Sequence, residues 1–229
     1  MNPQSSSSKK LFWVAYAFLG LTLIALSALL FLSAGTIHYW QAWVYLAIML
    51  ISSSLITQYL LRYSPALLQR RMRMHEKEPR QRWIIRLAWL WLIITFLVPG
   101  FDQRYDGSAV SPIVVIAADI LVLVGYGICF WVFKENPYAS RIVEVEPGQE
   151  VITTGPYAIV RHPMYIGSLL IFLTTPLALG SYWALWPAVF IIPILVARIR
   201  NEENMLKKNL KGYSAYVKKT RYRLLPRVW

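Results

Sequence analysis

An all-α integral membrane protein, with about four transmembrane helices plus a C-terminal helical hairpin, is the fold class that three features of the sequence predict. Of its 229 residues, 57% are hydrophobic and only 15% charged, against about 45–50% and about 25% in ordinary soluble domains. The apolar residues gather into runs of membrane-spanning length, and mean hydropathy is +0.44. Basic residues collect in the segments between those runs. A chain of this composition does not dissolve as a monomer.

The elements follow in order. Residues 1–10 form a Ser-rich polar tail ending in Lys9-Lys10 and are expected to be disordered. Leu11 to Ser33 is apolar without a charge, longer than the ~7–15-residue core of a signal peptide, and reads as a retained first span. Trp40 to Leu61 is the second, close to the ~20 residues a bilayer core requires. The stretch 62–86 then turns basic, carrying Arg62, Arg70, Arg71, Arg73, Lys77, Arg80, Arg82 and Arg86 against Glu76 and Glu78. A third span is expected from Trp83 to Val98 and a fourth from Ile113 to Phe133, completing a four-span region over 11–133. From Lys134 to Pro163 the apolar pattern stops, and Pro137, Pro147-Gly148 and Gly155-Pro156 mark turns. Tyr165 to Leu179 and Trp183 to Ala197 are each short for a span, and Gly180-Ser181 between them predicts a helical hairpin. A basic tail closes the 134–229 part, ending Arg221-Tyr222-Arg223-Leu224-Leu225-Pro226.

Charge sets the expected orientation. Lys and Arg number 24 against 11 acidic residues, a net +13. By the positive-inside rule, Lys9-Lys10, the 62–86 loop, the 134–163 segment and the tail are cytoplasmic, as are both termini of this multi-pass chain. The basic excess fits membrane lipids rather than nucleic acid, because nucleic-acid-binding domains do not carry repeated membrane-length apolar runs. One cysteine, Cys129, and three scattered histidines, His38, His75 and His162, provide no disulfide framework and no metal site. His38 and His75 read as interfacial residues, and the basic loop as a topology signal and lipid contact. Asp119, inside the fourth span, is expected to be a hydrogen-bonded or neutral structural residue. Nothing in the pattern sets an oligomeric state.

Two places concentrate polar chemistry at one membrane face. In Thr153–Tyr165, Gly155-Pro156 forces a turn and His162-Pro163 starts a helix, so His162 lies beside helix N-terminal amides that favour an anion. A loop-to-helix cap with interfacial aromatics explains the same residues equally well. In Arg198–Glu203, Arg198 and Glu202 stand four apart on one helix face; they form either a surface ion pair or a pair projecting toward His162. A helix leaving the membrane and one returning end on the same side, so the hairpin brings the two places together.

The ordered set Gly155-Pro156-Tyr157, Val160-Arg161-His162-Pro163-Met164-Tyr165-Ile166-Gly167, the Leu179-Gly180-Ser181 break and Arg198…Glu202-Glu203 resembles the isoprenylcysteine carboxyl methyltransferase family. That family belongs to a wider group with the membrane phospholipid methyltransferases, and the closing Gly212-Tyr213…Tyr216…Arg221–Pro226 is similar to prokaryotic members. The resemblance covers the half of the chain from Asn136 onward. It implies a cytoplasmic segment binding S-adenosyl-L-methionine through Gln149, Glu150, Val151 and Ile152, a strand-like stretch, then Tyr157, His162, Pro163, Met164, Tyr165 and Glu202. It implies Arg198 as the substrate-binding residue, with Arg198 and Glu202 as the catalytic pair and no metal. A further cofactor contact falls near Arg141 to Glu144. The implied reaction is O-methylation of the carboxylate of an S-prenylated cysteine or similar lipidic acid, which enters from the bilayer between the hairpin and the third and fourth spans. The alternatives are N-methylation of a phospholipid ethanolamine, S-methylation of a small thiol with Glu202, Glu203 or Tyr165 as base, and lipid binding without catalysis.

Overall fold

The computed structural model describes residues 3–73 and 79–229, so His75 lies outside the described residues. Among the described residues, nine α-helices and one 3₁₀ turn follow in order: α1 Pro3–Ala34, α2 Trp40–Tyr63, α3 Pro65–Arg71, α4 Pro79–Arg104, α5 Pro112–Glu135, the turn Gly155–Ala158, α6 Pro163–Ala178, α7 Leu185–Val189, α8 Ile191–Asn209 and α9 Tyr213–Lys219. The described residues contain no strand. Among the described residues, four helices are long and apolar enough to cross a membrane, over Lys9–Ala34, Trp40–Tyr63, Gln81–Arg104 and Pro112–Glu135. The expected all-α membrane architecture is therefore what the chain adopts.

Local chemistry explains the boundaries. α3, α5 and α6 each begin on a proline, whose missing N–H is one the first helical turn leaves without a partner in any case. α6 ends in a Schellman motif: Ser181 N–H donates to the Pro176 carbonyl at 2.9 Å and Gly180 N–H to that of Leu177 at 3.0 Å. This requires φ +70° at Gly180, a conformation only glycine adopts cheaply. The 16 residues of α6 extend about 24 Å, short of a ~30 Å hydrocarbon core. The hairpin's second arm is α7 and α8 in near continuity.

Two details differ from the sequence expectation. The residues from Pro3 to Lys10, expected as a disordered tail, are the opening turns of α1. Arg198, Glu202 and Glu203 do not mark the end of the hairpin helix, because α8 runs on through them to Asn209. Burying Leu195, Ile199 and Glu203 on one face keeps that extension helical despite its charges.

Packing then fixes the site. α6 lies along α5, and the helices touch at Gly125 and Gly167, where a Cβ on Gly167 would sit 2.7 Å from the Gly125 carbonyl oxygen. Small residues at a membrane helix crossing permit this approach. The loops at one end are tied by the Tyr39 hydroxyl donating to the Leu179 carbonyl at 2.5 Å and by Tyr182 N–H donating to Ser108 Oγ at 3.1 Å. At the other end, α3, the 136–162 segment, the start of α6 and the end of α8 converge. Asp119 is 4% exposed, and neither carboxylate oxygen has a hydrogen-bond partner among the described residues; the hydrogen-bonded alternative is not what the fold provides.

Candidate active site

A polar cavity at the converging end is lined by Gln149, Glu150, Val151, Ile152, Tyr157, His162, Pro163, Met164, Tyr165, Arg198 and Glu202. Every residue to which the resemblance gives a cofactor or substrate role thus borders one space. The stretch 149–152 is extended without being a strand. The backbone N–H groups of Glu150, Val151 and Ile152 have no protein partner among the described residues, so they present an edge to a guest.

Three layers of contact hold the polar side chains. The nearest is a relay across the hairpin: Arg198 Nε donates to the Tyr165 hydroxyl at 2.9 Å, and that hydroxyl donates to Glu202 Oε2 at 2.5 Å. Arg198 and Glu202, four apart on α8, are therefore linked through Tyr165 of α6. Arg198 also donates to Gln81 Oε1 at 3.2 Å and to the Arg141 carbonyl at 2.5 Å, which connects α4 and the 139–143 segment to the same guanidinium.

Beneath this lies a buried ionic cluster that sequence reasoning missed. Glu203, 1% exposed, accepts from Arg161 Nε at 2.7 Å and from Arg223 Nε at 3.0 Å, with His162 Nε2 at 3.3 Å. Burial pushes the Glu203 carboxyl up, but the hydrogen bonds and charges of His162 and Arg161 together outweigh it and hold the group down at about 2. Arg161 further donates to the carbonyls of Thr220 and Arg221 at 2.8 and 2.6 Å. The backbone N–H groups of Arg161 and His162 donate to the Tyr222 and Arg223 carbonyls, both at 2.9 Å. The basic C-terminal tail is thus folded back behind Arg161 and His162, which line the pocket. The signal for this was present as Arg161 before His162 and Glu203 after Glu202, but pairs remote in sequence cannot be matched by spacing.

The outer wall is aromatic and acidic. Asn136 Nδ2 donates to the Tyr157 hydroxyl, and the Tyr216 hydroxyl donates to the Tyr157 carbonyl, both at 2.8 Å. Burial raises the Tyr157 hydroxyl above its ordinary value despite the Asn136 hydrogen bond, so it stays a neutral donor. Of the unaligned stretch 141–144, Ile142, Val143 and Glu144 line the cavity. Glu144 and Glu146 are held by Arg73 at 2.5 and 2.7 Å, which gives part of the basic loop a structural task.

A second cavity of about 290 Å³ opens beside the first, and Arg198 and Ile142 line both. Arg141 also lines it, and its remaining walls are apolar, from Ile84 to Leu92 on α4, Phe172 on α6, and Ile191 to Leu195 on α8. The third span and the hairpin form it. The fourth span, α5, contributes no lining residue, because it packs on the far side of α6 at the Gly125–Gly167 crossing.

Comparison with known proteins follows this geometry. Residues 113–212, which include α6, the hairpin and Glu202, match the phospholipid methyltransferase family. The eukaryotic intramembrane Ras methyltransferase, isoprenylcysteine carboxyl methyltransferase, superposes over 100% of this chain and 88% of its own with a TM-score of 0.53 at 16% identity, a likeness of fold. The Delta(14)-sterol reductase TM7SF2 of Mus musculus is 28% identical over 105 residues, 42% of this chain. The chain spans a quarter of that relative's length, 25%. The resemblance read from the sequence agrees with the family match over residues 113–212 and with the likeness of fold.

Among the described residues no group of three His, Cys, Asp or Glu side chains could hold a metal. The donor set instead suits S-adenosyl-L-methionine. Glu202 offers a carboxylate to an ammonium or to ribose hydroxyls, Val151, Leu206 and Tyr213 offer apolar surface to a base, and the 150–152 backbone offers hydrogen bonds.

Proposed function

We propose that this chain is an S-adenosyl-L-methionine-dependent methyltransferase that esterifies the carboxylate of a lipidic acid, with an S-prenylated cysteine as the acceptor that fits best. The observation carrying this reading is the junction at Arg198, where a polar cavity bearing Glu202 and His162 meets an apolar cavity facing the membrane helices. A reaction between a water-soluble donor and a lipid-borne acceptor needs such a junction.

Held by the 149–152 stretch, Tyr157 and Glu202, S-adenosyl-L-methionine would supply an electrophilic sulfonium methyl, and an ionised carboxylate acceptor would need no proton removed. The protein's task is then to bind, orient and desolvate. Arg198 presents a guanidinium fork suited to a carboxylate, and its contacts to Tyr165, Gln81 and the Arg141 carbonyl fix the direction of that fork. Glu202, accepting the hydrogen bond of the Tyr165 hydroxyl, keeps negative charge on the cofactor side of the relay. The apolar acceptor tail lies between α4 and α8, where Trp89, Trp91 and Phe172 exclude water. The cytoplasmic orientation expected from the basic segments gives the cofactor access from the aqueous side.

Acid–base chemistry favours the ester over an amine. An acidic acceptor is ionised at neutral pH and needs no base, whereas an ammonium or thiol must lose a proton first. Glu203 cannot provide that base, being held at about 2 by its neighbours. A phospholipid amine is the second reading, supported by the family match over residues 113–212; Arg198 would then hold phosphate and Glu202 would accept the proton.

Cofactor binding is the first test. At a hundred times its Kd, a ligand specific for the folded state stabilises by about 2.7 kcal/mol, about 5–11 °C in midpoint for a chain of this size. S-Adenosyl-L-methionine is expected to produce that shift in detergent-solubilised protein, and a reduced nicotinamide dinucleotide none. The reverse pattern would move the chain toward a reductase, and no shift from either would favour lipid binding without catalysis.

A further inference from the structure

A third cavity, about 280 Å³, is bounded by α1, α2, α3 and α5, and Ile171 of α6 lines it while Phe172 lines the acceptor cavity. Its volume lies at the small end of ligand sites, which run from about 300 Å³. Its lining residues extend from Met49 to Leu60 along α2, about 16 Å of helix. Long and narrow, it suits one hydrocarbon chain rather than a ring system or a pair of tails.

The cavity has one charged end. Arg71 and Arg141 both line it, and no carboxylate does. Of the hydroxyls deeper in the slot, that of Thr22 donates to the Phe18 carbonyl at 2.8 Å, and Tyr126 pairs with Ser53. Arg71 lies 4.2 Å above the Phe133 ring and donates to the Ala139 carbonyl at 3.2 Å. Arg141 lies 5.3 Å from the Phe18 ring centre. Burial, and then the neighbouring Arg141 charge, hold the Arg71 guanidinium down at about 10. Two guanidiniums, which do not deprotonate at physiological pH, thus face the end of an apolar slot.

We infer that this cavity is a lipid-binding site separate from the acceptor cavity, taking a single long hydrocarbon chain that carries an anionic head, with the head between Arg71 and Arg141. The site stands independently of the methyl-transfer reading, because none of its walls belongs to the acceptor cavity except Arg141. An anion placed there relieves the repulsion between the arginines, and its chain fills the space between Leu19, Leu23, Met49 and Ile56.

Photolabelling tests this directly. The probe is a palmitic acid bearing a diazirine near its methyl end, and the control is the matching palmityl alcohol, both applied to the full-length protein in neutral detergent. Label is expected on α1 and α2, within residues 15–23 and 49–60. It should fall at least tenfold with the alcohol and with Arg71→Gln, the loss expected for one charge-assisted contact. Thr57→Phe fills the slot without touching either arginine and should abolish that label, while Ala88→Phe, in the acceptor cavity, should leave it unchanged. Ser53→Leu provides a milder block if Thr57→Phe does not fold. Label confined to α4 and α8, label that ignores the head group, or no label on α1 and α2 would each overturn the assignment.

Discussion

Replacing Glu203 with glutamine removes the only negative charge from a cluster that holds Arg161, Arg223 and His162 under the pocket. Its side chain and that of Arg161 are 2% and 4% exposed, so solvent cannot take its place, and breaking a buried pair from one side costs about 3–5 kcal/mol. Titration gives a second route to the magnitude. A carboxyl held at about 2 instead of its ordinary 4.5 contributes about 3 kcal/mol at neutral pH. The folded value is depressed, so this stability is fully present above pH ~4.5 and is lost as pH falls toward ~2. The two routes agree, and a 3 kcal/mol loss lowers the unfolding midpoint by about 6–12 °C. Cys129, the one cysteine in the chain, is buried, so a thiol-reactive dye reports unfolding in detergent. Glu203→Gln should unfold about 6–12 °C below the wild type at neutral pH, with a gap that narrows as both are acidified from pH 4.5 downward. A variant within 1 °C of wild type at neutral pH, or a gap that is independent of pH, would refute the reasoning.

Other substitutions separate the roles within the site. Arg198→Ala should lower kcat/KM for a lipidic acid about 10–100-fold, the equivalent of one charge-assisted hydrogen bond, with the cofactor Kd changed less than threefold by calorimetry. Glu202→Gln should raise that Kd about tenfold while leaving the thermal midpoint within a few degrees, the opposite signature to Glu203→Gln. Gly167→Ala places a Cβ 2.7 Å from the Gly125 carbonyl and 2.8 Å from Cys129 Sγ; overpacking of this kind costs about 1–3 kcal/mol, visible as a lower midpoint in tryptophan fluorescence. Ala88→Phe should raise KM for long-chain acceptors more than for short ones, since Ala88 lines the apolar cavity.

The parts legible in the sequence were those written in local chemistry. Span lengths follow from apolar runs, α6 from His162-Pro163, and the hairpin turn from Gly180-Ser181, each governed by residues within one helical turn of each other. The site residues were legible because a short ordered motif carries them, and the hairpin's reversal brings Tyr165 and Glu202 to one end. What stayed hidden depends on contacts across the chain. Arg161 meets Glu203 and the Thr220 carbonyl only after the tail folds back, and Gln81 meets Arg198 only because α4 packs on α8. The continuation of α8 to Asn209 was masked by its charges, which read as a soluble tail until Glu203 was found buried. Arg71 looked like one more positive-inside residue; its place over Phe133 distinguishes it from Arg70 and Arg73, which pair with Glu146.

The central claim is a reaction at the Arg198 junction, and methyl transfer tests it most directly. Purified protein in lipid would be given S-adenosyl-L-methionine carrying a labelled methyl, with N-acetyl-S-farnesylcysteine in one reaction and a phosphatidylethanolamine-containing lipid mixture in another. The account predicts label on the farnesylcysteine that leaves as methanol in mild base, the mark of a methyl ester, and its loss in Arg198→Ala. Base-stable label confined to the phosphatidylethanolamine lipid would contradict the ester assignment, and no transferred label in either reaction would contradict methyl transfer itself.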